Sequence, residues 1–142
     1  MLIALWFSVV MEKFRPTTEG HEGHILVVED EKLSRLALGK LLAREGYTTT
    51  VAGSAEEAID ILLSVRSSPA IALIDLDLPG MSGAELLAYL KKLVPLVRPV
   101  FLTAACEERI ARAIGPSNIK YLRKPFNFRE LLGILKEHSR TN

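Results

Sequence analysis

The stretch Ile71-Ala72-Leu73-Ile74-Asp75-Leu76-Asp77-Leu78-Pro79-Gly80-Met81-Ser82-Gly83 constrains the chain more than any other. Four apolar residues in succession fit a strand buried on both faces, the usual condition of a central strand in a parallel sheet. The proline and glycines that follow break the strand into a turn. A carboxylate at the carboxyl end of such a strand stands on the rim where open α/β sheets bind their ligands. Asp75 is therefore the residue expected to react. The plainer reading, in which its carboxylate only accepts backbone hydrogen bonds in the turn, stands beside it.

Apolar runs alternate with helical patterns on either side. Ile25 to Val28 reads as a strand, and Glu29-Asp30-Glu31 opens a helix running to about Glu45, closed by Gly46. Leu33, Leu36, Ala37 and Leu41 keep helical spacing and predict its buried face. Thr48 to Ala52 is a more polar strand. Ser54-Ala55-Glu56-Glu57 then has the spacing of a capping box, ahead of a stripe of Ala58, Ile59, Leu62 and Leu63. After Gly83, Leu86, Leu87, Leu90 and Leu93 line one side of a third helix. Val100-Phe101-Leu102 is a fourth strand ending at Thr103, Glu107 to Ile114 a short helix, and Lys120-Tyr121-Leu122 a fifth strand. Asn127 and Glu130 mark the start of a last helix, with Phe128, Leu131, Leu132 and Leu135 on its buried side.

Five strands alternating with five helices predict a doubly wound α/β fold, because right-handed crossovers place helices over both faces of a parallel sheet. The first, third and fourth strands are wholly apolar and belong in the centre. Thr48-Thr49-Thr50 and Lys120-Tyr121 suit edges. The order 2-1-3-4-5 meets both demands and is the flavodoxin-like one, with its crevice between strands one and three.

At 142 residues the chain suits one domain with a core of its own. Lysine and arginine number 18 against 17 acids, so no global field recruits nucleic acid. Cys106, the single cysteine, excludes an internal disulfide and fits a reducing, cytoplasmic setting; a packed or half-exposed thiol is its expected state. Residues 1–11, MLIALWFSVVM, fall short of the roughly 17–25 residues a membrane-crossing helix needs and lack the flanks of a cleaved signal. They read as an accessory segment: a start mis-assigned upstream of Met11, which is preferred, or a short helix on a partner or membrane surface. Residues 12–22 read as a polar linker, leaving 23–142 as the domain. His21 and His24 have no cysteine or third histidine near them and are not expected to form a metal site.

In that strand order, polar residues at four carboxyl ends converge: Glu29 and Asp30, then Asp75, Thr103 and Lys124. Crowded carboxylates push a pKa upward unless a cation sits among them. Magnesium fits, since it accepts one or two carboxylates, keeps waters and leaves room for phosphate oxygens. With the oxygens neutralised, an aspartate can act as nucleophile and carry a phosphoryl group. Magnesium, the Lys124 ammonium and the Thr103 hydroxyl would each hold one side of the transferred group. Taken singly, Asp30 reads equally as a helix cap, Thr103 as a common strand-end residue, and Lys124 as a solvated lysine before proline.

From about Gly23 to Ser139 the sequence resembles the receiver domain of two-component response regulators, the single-domain chemotaxis type included. The matching pieces are Ile25 to Glu31 (ILVVEDE), Ile74 to Gly83 (IDLDLPGMSG), Phe101 to Ala104 (FLTA) and Tyr121 to Phe126 (YLRKPF). The resemblance implies Asp75 as phosphoacceptor and Asp30 and Asp75 as Mg2+ ligands. It adds Glu29 through water and the Asp77 backbone carbonyl. It also implies that Thr103 follows the phosphoryl group, that Tyr121 changes rotamer with it, that Lys124 contacts the phosphoryl oxygens, and that Pro125 is the family's cis proline.

By the same resemblance the chain is not a turnover enzyme. It accepts a phosphoryl group from a sensor histidine kinase or histidine phosphotransfer protein and signals to a protein target through the fourth helix, fifth strand and fifth helix. The balanced charge and the few polar residues after the last helix add the expectation of no nucleic-acid partner, and the short apolar run that of no membrane. A single-domain chain is expected. Gly115-Pro116-Ser117-Asn118-Ile119 replaces the small-glycine-small turn usual before the fifth strand, and the fourth helix is short, which leaves the docking mode open. Two other readings remain: a receiver-shaped module that is never phosphorylated, and an aspartate-nucleophile phosphatase. Pro79 and the motif's place on the third strand speak against the phosphatase.

Overall fold

A computed structural model describes residues 23–64, 68–116 and 118–140, so the reading of residues 1–22 lies outside the described residues. Five strands form one parallel sheet: β1 (His24–Val28), β2 (Thr48–Ala52), β3 (Ile71–Asp75), β4 (Arg98–Thr103) and β5 (Lys120–Arg123). Their order is β2-β1-β3-β4-β5. The helices are α1 (Lys32–Arg44), α2 (Ala55–Ser64), α3 (Gly83–Leu93), α4 (Glu107–Ile114) and α5 (Phe128–Arg140). This is the flavodoxin-like doubly wound arrangement expected from the sequence.

Side chains alternate across a strand, so an all-apolar strand needs a cover on each face. Leu26, Val28, Ala72, Ile74 and Phe101 pack with residues of α2, α3 and α4. Ile25, Val27, Ile71, Leu73, Val100 and Leu102 pack with α1 and α5. Each fully buried Leu, Ile or Phe contributes about 1.5–3 kcal/mol over its exposed state. The edge strands are mostly exposed or half-buried, as their polar sequences require. β4 begins at Arg98 and so includes Pro99, opposite Ala72, beyond the stretch the sequence indicated. Near the start of a strand the missing N–H does little harm. His24 is buried, its Nε2 2.7 Å from the Thr50 hydroxyl across β1 and β2.

The predicted inner face of α1 is wrong. Leu33 is 75% exposed, Leu36 and Ala37 also face solvent, and Leu41 is only half-buried. The buried residues are Leu38 and Leu42. A helix this rich in leucine carries more apolar residues than one face can hold. Its rotation is set instead by Gly39, where an added Cβ would stand 3.3 Å from Val51 Cγ1 on β2. The helix also starts later than the acidic run suggested, with Glu31 at the cap position and Glu29 and Asp30 in the loop before it. At α2 the Ser54 hydroxyl accepts from the Glu57 N–H, but the Glu57 carboxylate accepts from Gly53, one residue before the capping-box partner.

Gly83 opens α3 directly beneath the end of β3. An added Cβ would collide with the Asp75 carbonyl and stand 3.0 Å from Ile74 Cγ2. Gly83→Ala is expected to destabilise the fold by about 1–3 kcal/mol through overpacking. Gly133→Ala, on α5 with no heavy atom within 4 Å of the added carbon, is expected to stabilise it by about 0.5–1 kcal/mol. Urea denaturation checks both, and effects of the same sign would contradict the packing described for Gly83.

Candidate functional site

The sheet register brings the polar residues to one rim. Val28 pairs with Ile74, so Glu29, one residue on, lies beside Asp75. Asp75 pairs with Leu102, which puts Thr103 one step beyond it. Thr103 pairs with Arg123, so Lys124 is the next residue out, its N–H donating to the Thr103 carbonyl at 2.7 Å. Backbone bonds carry the same register past the strand ends: Glu29 N–H donates to the Ala52 carbonyl and Leu76 N–H to Leu102, each at 3.0 Å.

The Lys124 ammonium is the hub. It donates to Glu29 Oε2 at 2.9 Å and to Asp75 Oδ2 at 3.1 Å. The Glu29 side chain is only 2% exposed, and that of Lys124 30%. Burial pushes the Glu29 carboxyl above its ordinary value; the Lys124 hydrogen bond opposes this, and the nearby Asp75 charge adds to it. Burial alone would lower the Lys124 pKa, but its bonds to Glu29 and Asp75 outweigh that and leave it raised. Asp75 Oδ1 accepts the Asp77 N–H at 2.9 Å, so the plain turn-capping role is present as well. Arg35 braces the backbone of the acidic loop, its guanidinium donating to the Glu29 and Asp30 carbonyls at 2.8 and 3.3 Å.

Glu29, Asp30 and Asp75 each present a carboxylate oxygen within 4.8 Å of the others. Three hard anionic donors against one ammonium leave the cluster in excess negative charge, and it contains neither Cys nor His. The donor set fits Mg2+ and does not fit zinc. Thr103 is buried at the neighbouring strand end, with its hydroxyl oxygen accepting from the Ala105 N–H at 2.9 Å. Tyr121, on β5 opposite Phe101, is exposed. The Lys124–Pro125 peptide bond is cis. Cys106 is exposed at the cap of α4, more open than the sequence suggested.

Three side chains around the site were not legible in the sequence. Arg35 is one; Glu56 is another, its Oε1 accepting the Met81 N–H at 2.9 Å across 25 residues. The third is Arg109 on α4, whose Nη2 lies 2.6 Å from Asp77 Oδ1. The one local signal was Gly80, whose φ of +74° marks the turn that Glu56 braces.

Among proteins of known sequence, the sporulation initiation phosphotransferase F of Bacillus subtilis (strain 168) is 30% identical over 115 residues, or 80% of this chain and 91% of that protein. The sensor kinase CckA of Brucella abortus (strain 2308) is 33% identical over 115 residues, 80% of this chain but only 12% of the kinase. Among solved structures, the response regulator TrrA of Thermotoga maritima, in complex with Mg2+ and BeF, superposes with a TM-score of 0.67 at 31% identity, covering 81% of this chain and 97% of that one. A CheY-like receiver from Methanospirillum hungatei JF-1 gives 0.72 at 29% identity over 84% and 98%. The response regulator receiver domain profile matches residues 25–136. With the acidic pocket and its lysine at the rim of this sheet, the chain belongs to the response regulator receiver domain family of two-component systems.

Proposed function

We infer that the protein is a phosphoryl-accepting switch: Asp75 takes a phosphoryl group from the phosphohistidine of a sensor kinase or phosphotransfer protein and changes what the protein binds. The observation that carries this is the Asp75 carboxylate, buried at the end of β3 and 3.1 Å from the Lys124 ammonium inside a cation-seeking cluster. In the transfer, an Asp75 oxygen bonds to phosphorus as the phosphorus–nitrogen bond breaks and the imidazole leaves. Asp30 and Asp75, with the Asp77 carbonyl and Glu29 through water, would hold Mg2+, which supplies the positive charge that lets an anionic group approach carboxylates. Lys124 passes from Glu29 to a phosphoryl oxygen, and the Thr103 hydroxyl donates to another.

The exposed Leu33 and Leu36, on a helix that starts two residues after Asp30, offer the donor an apolar surface beside the pocket. Output runs through α4, β5 and α5, where Tyr121 stands exposed, by a shift between two populations of that surface. A relative spanned for 91% of its length is named a phosphotransferase, which supports phosphoryl chemistry at this site. No helix among the described residues is long and apolar enough to cross a membrane. The kinase partner would be met in the cytoplasm. In this reading the protein is a signal acceptor and turns over no separate substrate.

Intact-mass spectrometry after incubation with Mg2+ and acetyl phosphate tests the reading. One base-labile phosphate adduct is expected on the wild type and none on Asp75→Asn or without Mg2+. If the cognate kinase also leaves well-folded protein unmodified, the receiver is an unphosphorylated docking module.

The resting pocket has its own pH signature. Lys124→Ala leaves the buried Glu29 carboxylate facing Asp75 without its cation, and in metal-free buffer at pH 7 is expected to lose about 1–3 kcal/mol. A carboxyl whose folded pKa is raised contributes stability as pH falls, because the folded chain binds the proton first. The deficit should therefore shrink as pH drops from 7 toward the ordinary 4.5 of Glu29. In the wild type, Lys124's raised pKa keeps its contribution in place below 10.5, to be lost only above that value. Urea denaturation across pH checks this; a deficit that does not change with pH would contradict it.

A further inference from the structure

Arg109 belongs neither to the acid cluster nor to the ion pairs of its lysine. It sits in the first turn of α4, and its guanidinium meets the Asp77 carboxylate at 2.6 Å, with side-chain exposures of 61% and 34%. An ion pair this open contributes little to stability, so what effect it has is on the charge near the pocket. Asp77 is not an ordinary surface acid. Its N–H donates to Asp75 Oδ1 at 2.9 Å, which by covalent reach keeps its carboxylate within about 8 Å of that oxygen. That is about one Debye length at physiological salt, close enough for its charge to be felt in the pocket. Asp77 is thus a fourth acid beside Glu29, Asp30 and Asp75, and Arg109 is the group that cancels it.

We propose that Arg109 is a positioning residue that sets the cation affinity of the pocket by neutralising Asp77, and so couples the placement of α4 to metal binding. The inference rests on the Mg2+ reading of the pocket. α4 is suited to such coupling because it is lightly anchored: its eight residues include one buried side chain, Ile110, with Ile114 partly buried behind it. When the first turn of α4 moves away, Asp77 is released and the pocket gains a negative charge. When the cation binds, the freed carboxylate is favoured, and the helix is released in turn. Linkage requires the two effects to be equal.

Isothermal titration of Mg2+ into the full chain, with no phosphodonor, tests this on the wild type, Arg109→Ala, Asp77→Asn and the double variant. At low ionic strength Arg109→Ala is expected to bind Mg2+ about two- to fivefold more tightly, because a lone carboxylate is left near the cation. Asp77→Asn keeps the backbone carbonyl and N–H but leaves the guanidinium alone, and is expected to bind about two- to fivefold more weakly. The double variant should return to within about twofold of the wild type, and all differences should contract in 0.5 M salt. Singles that shift the affinity in the same direction, or that leave it unchanged, overturn the proposal. Absence of Mg2+ binding by the wild type would remove the metal reading and this inference together. Normal wild-type binding with indifferent variants would remove the inference alone.

Discussion

Three carboxylates share the rim of the sheet with one ammonium, and the rest of the structure exists to keep them there. Like charges at this separation repel, and Glu29 is almost wholly withdrawn from water, so the arrangement is unfavourable unless the backbone enforces it. Enforcement comes from β1 and β3, which are buried along their whole length and paired residue for residue up to the charged positions. The same apolar runs that fix the register leave the acids no way to move apart. Lys124, arriving from the far end of the chain, is the cation that holds the resting state together. It is also the group a phosphoryl oxygen would draw away.

Strands and site were legible in the sequence for one reason, and the surface of the site was not for another. A strand buried on both faces needs an unbroken apolar run, and Ile71 to Ile74 can hardly be read differently. Its polar terminus then follows, and the acids and Lys124 align once the order is known. α1 shows the limit. Leucines at 33, 36, 38, 41 and 42 satisfy more than one helical face, and the choice was made by the close approach of Gly39 to Val51, a contact between elements. Arg109 was invisible for the same kind of reason. It is one of several charges in Glu107-Glu108-Arg109-Ile110-Ala111-Arg112, and nothing local selects it as the partner of Asp77. Glu56 likewise reaches Met81 only because α2 and the turn at Gly80 meet in space.

The uneven anchoring of the helices matches the expected division of labour. α3 buries five residues and underlies the Asp75 turn, so the Asp75 loop is built on a fixed base. α4, at the other side of that loop, buries one. The proposed switch would need this contrast, because a small change at the acidic rim would have to shift a surface some distance away without unfolding the sheet between them. Elements drawn into such changes come from the less stable part of a fold. The exposed Tyr121 on the edge strand β5 and the short α4 lie together on that side of the sheet.

The most direct test of the account is a crystal structure of the protein with Mg2+ and beryllofluoride, which forms a phosphoryl-like adduct on a reactive carboxylate. Beryllium is expected bonded to an Asp75 oxygen, with the cation among Asp30, Asp75 and the Asp77 carbonyl and Lys124 moved off Glu29 onto a fluorine. A fluoride complex bound elsewhere, or a Lys124 still paired with Glu29 beside a loaded Asp75, would contradict it.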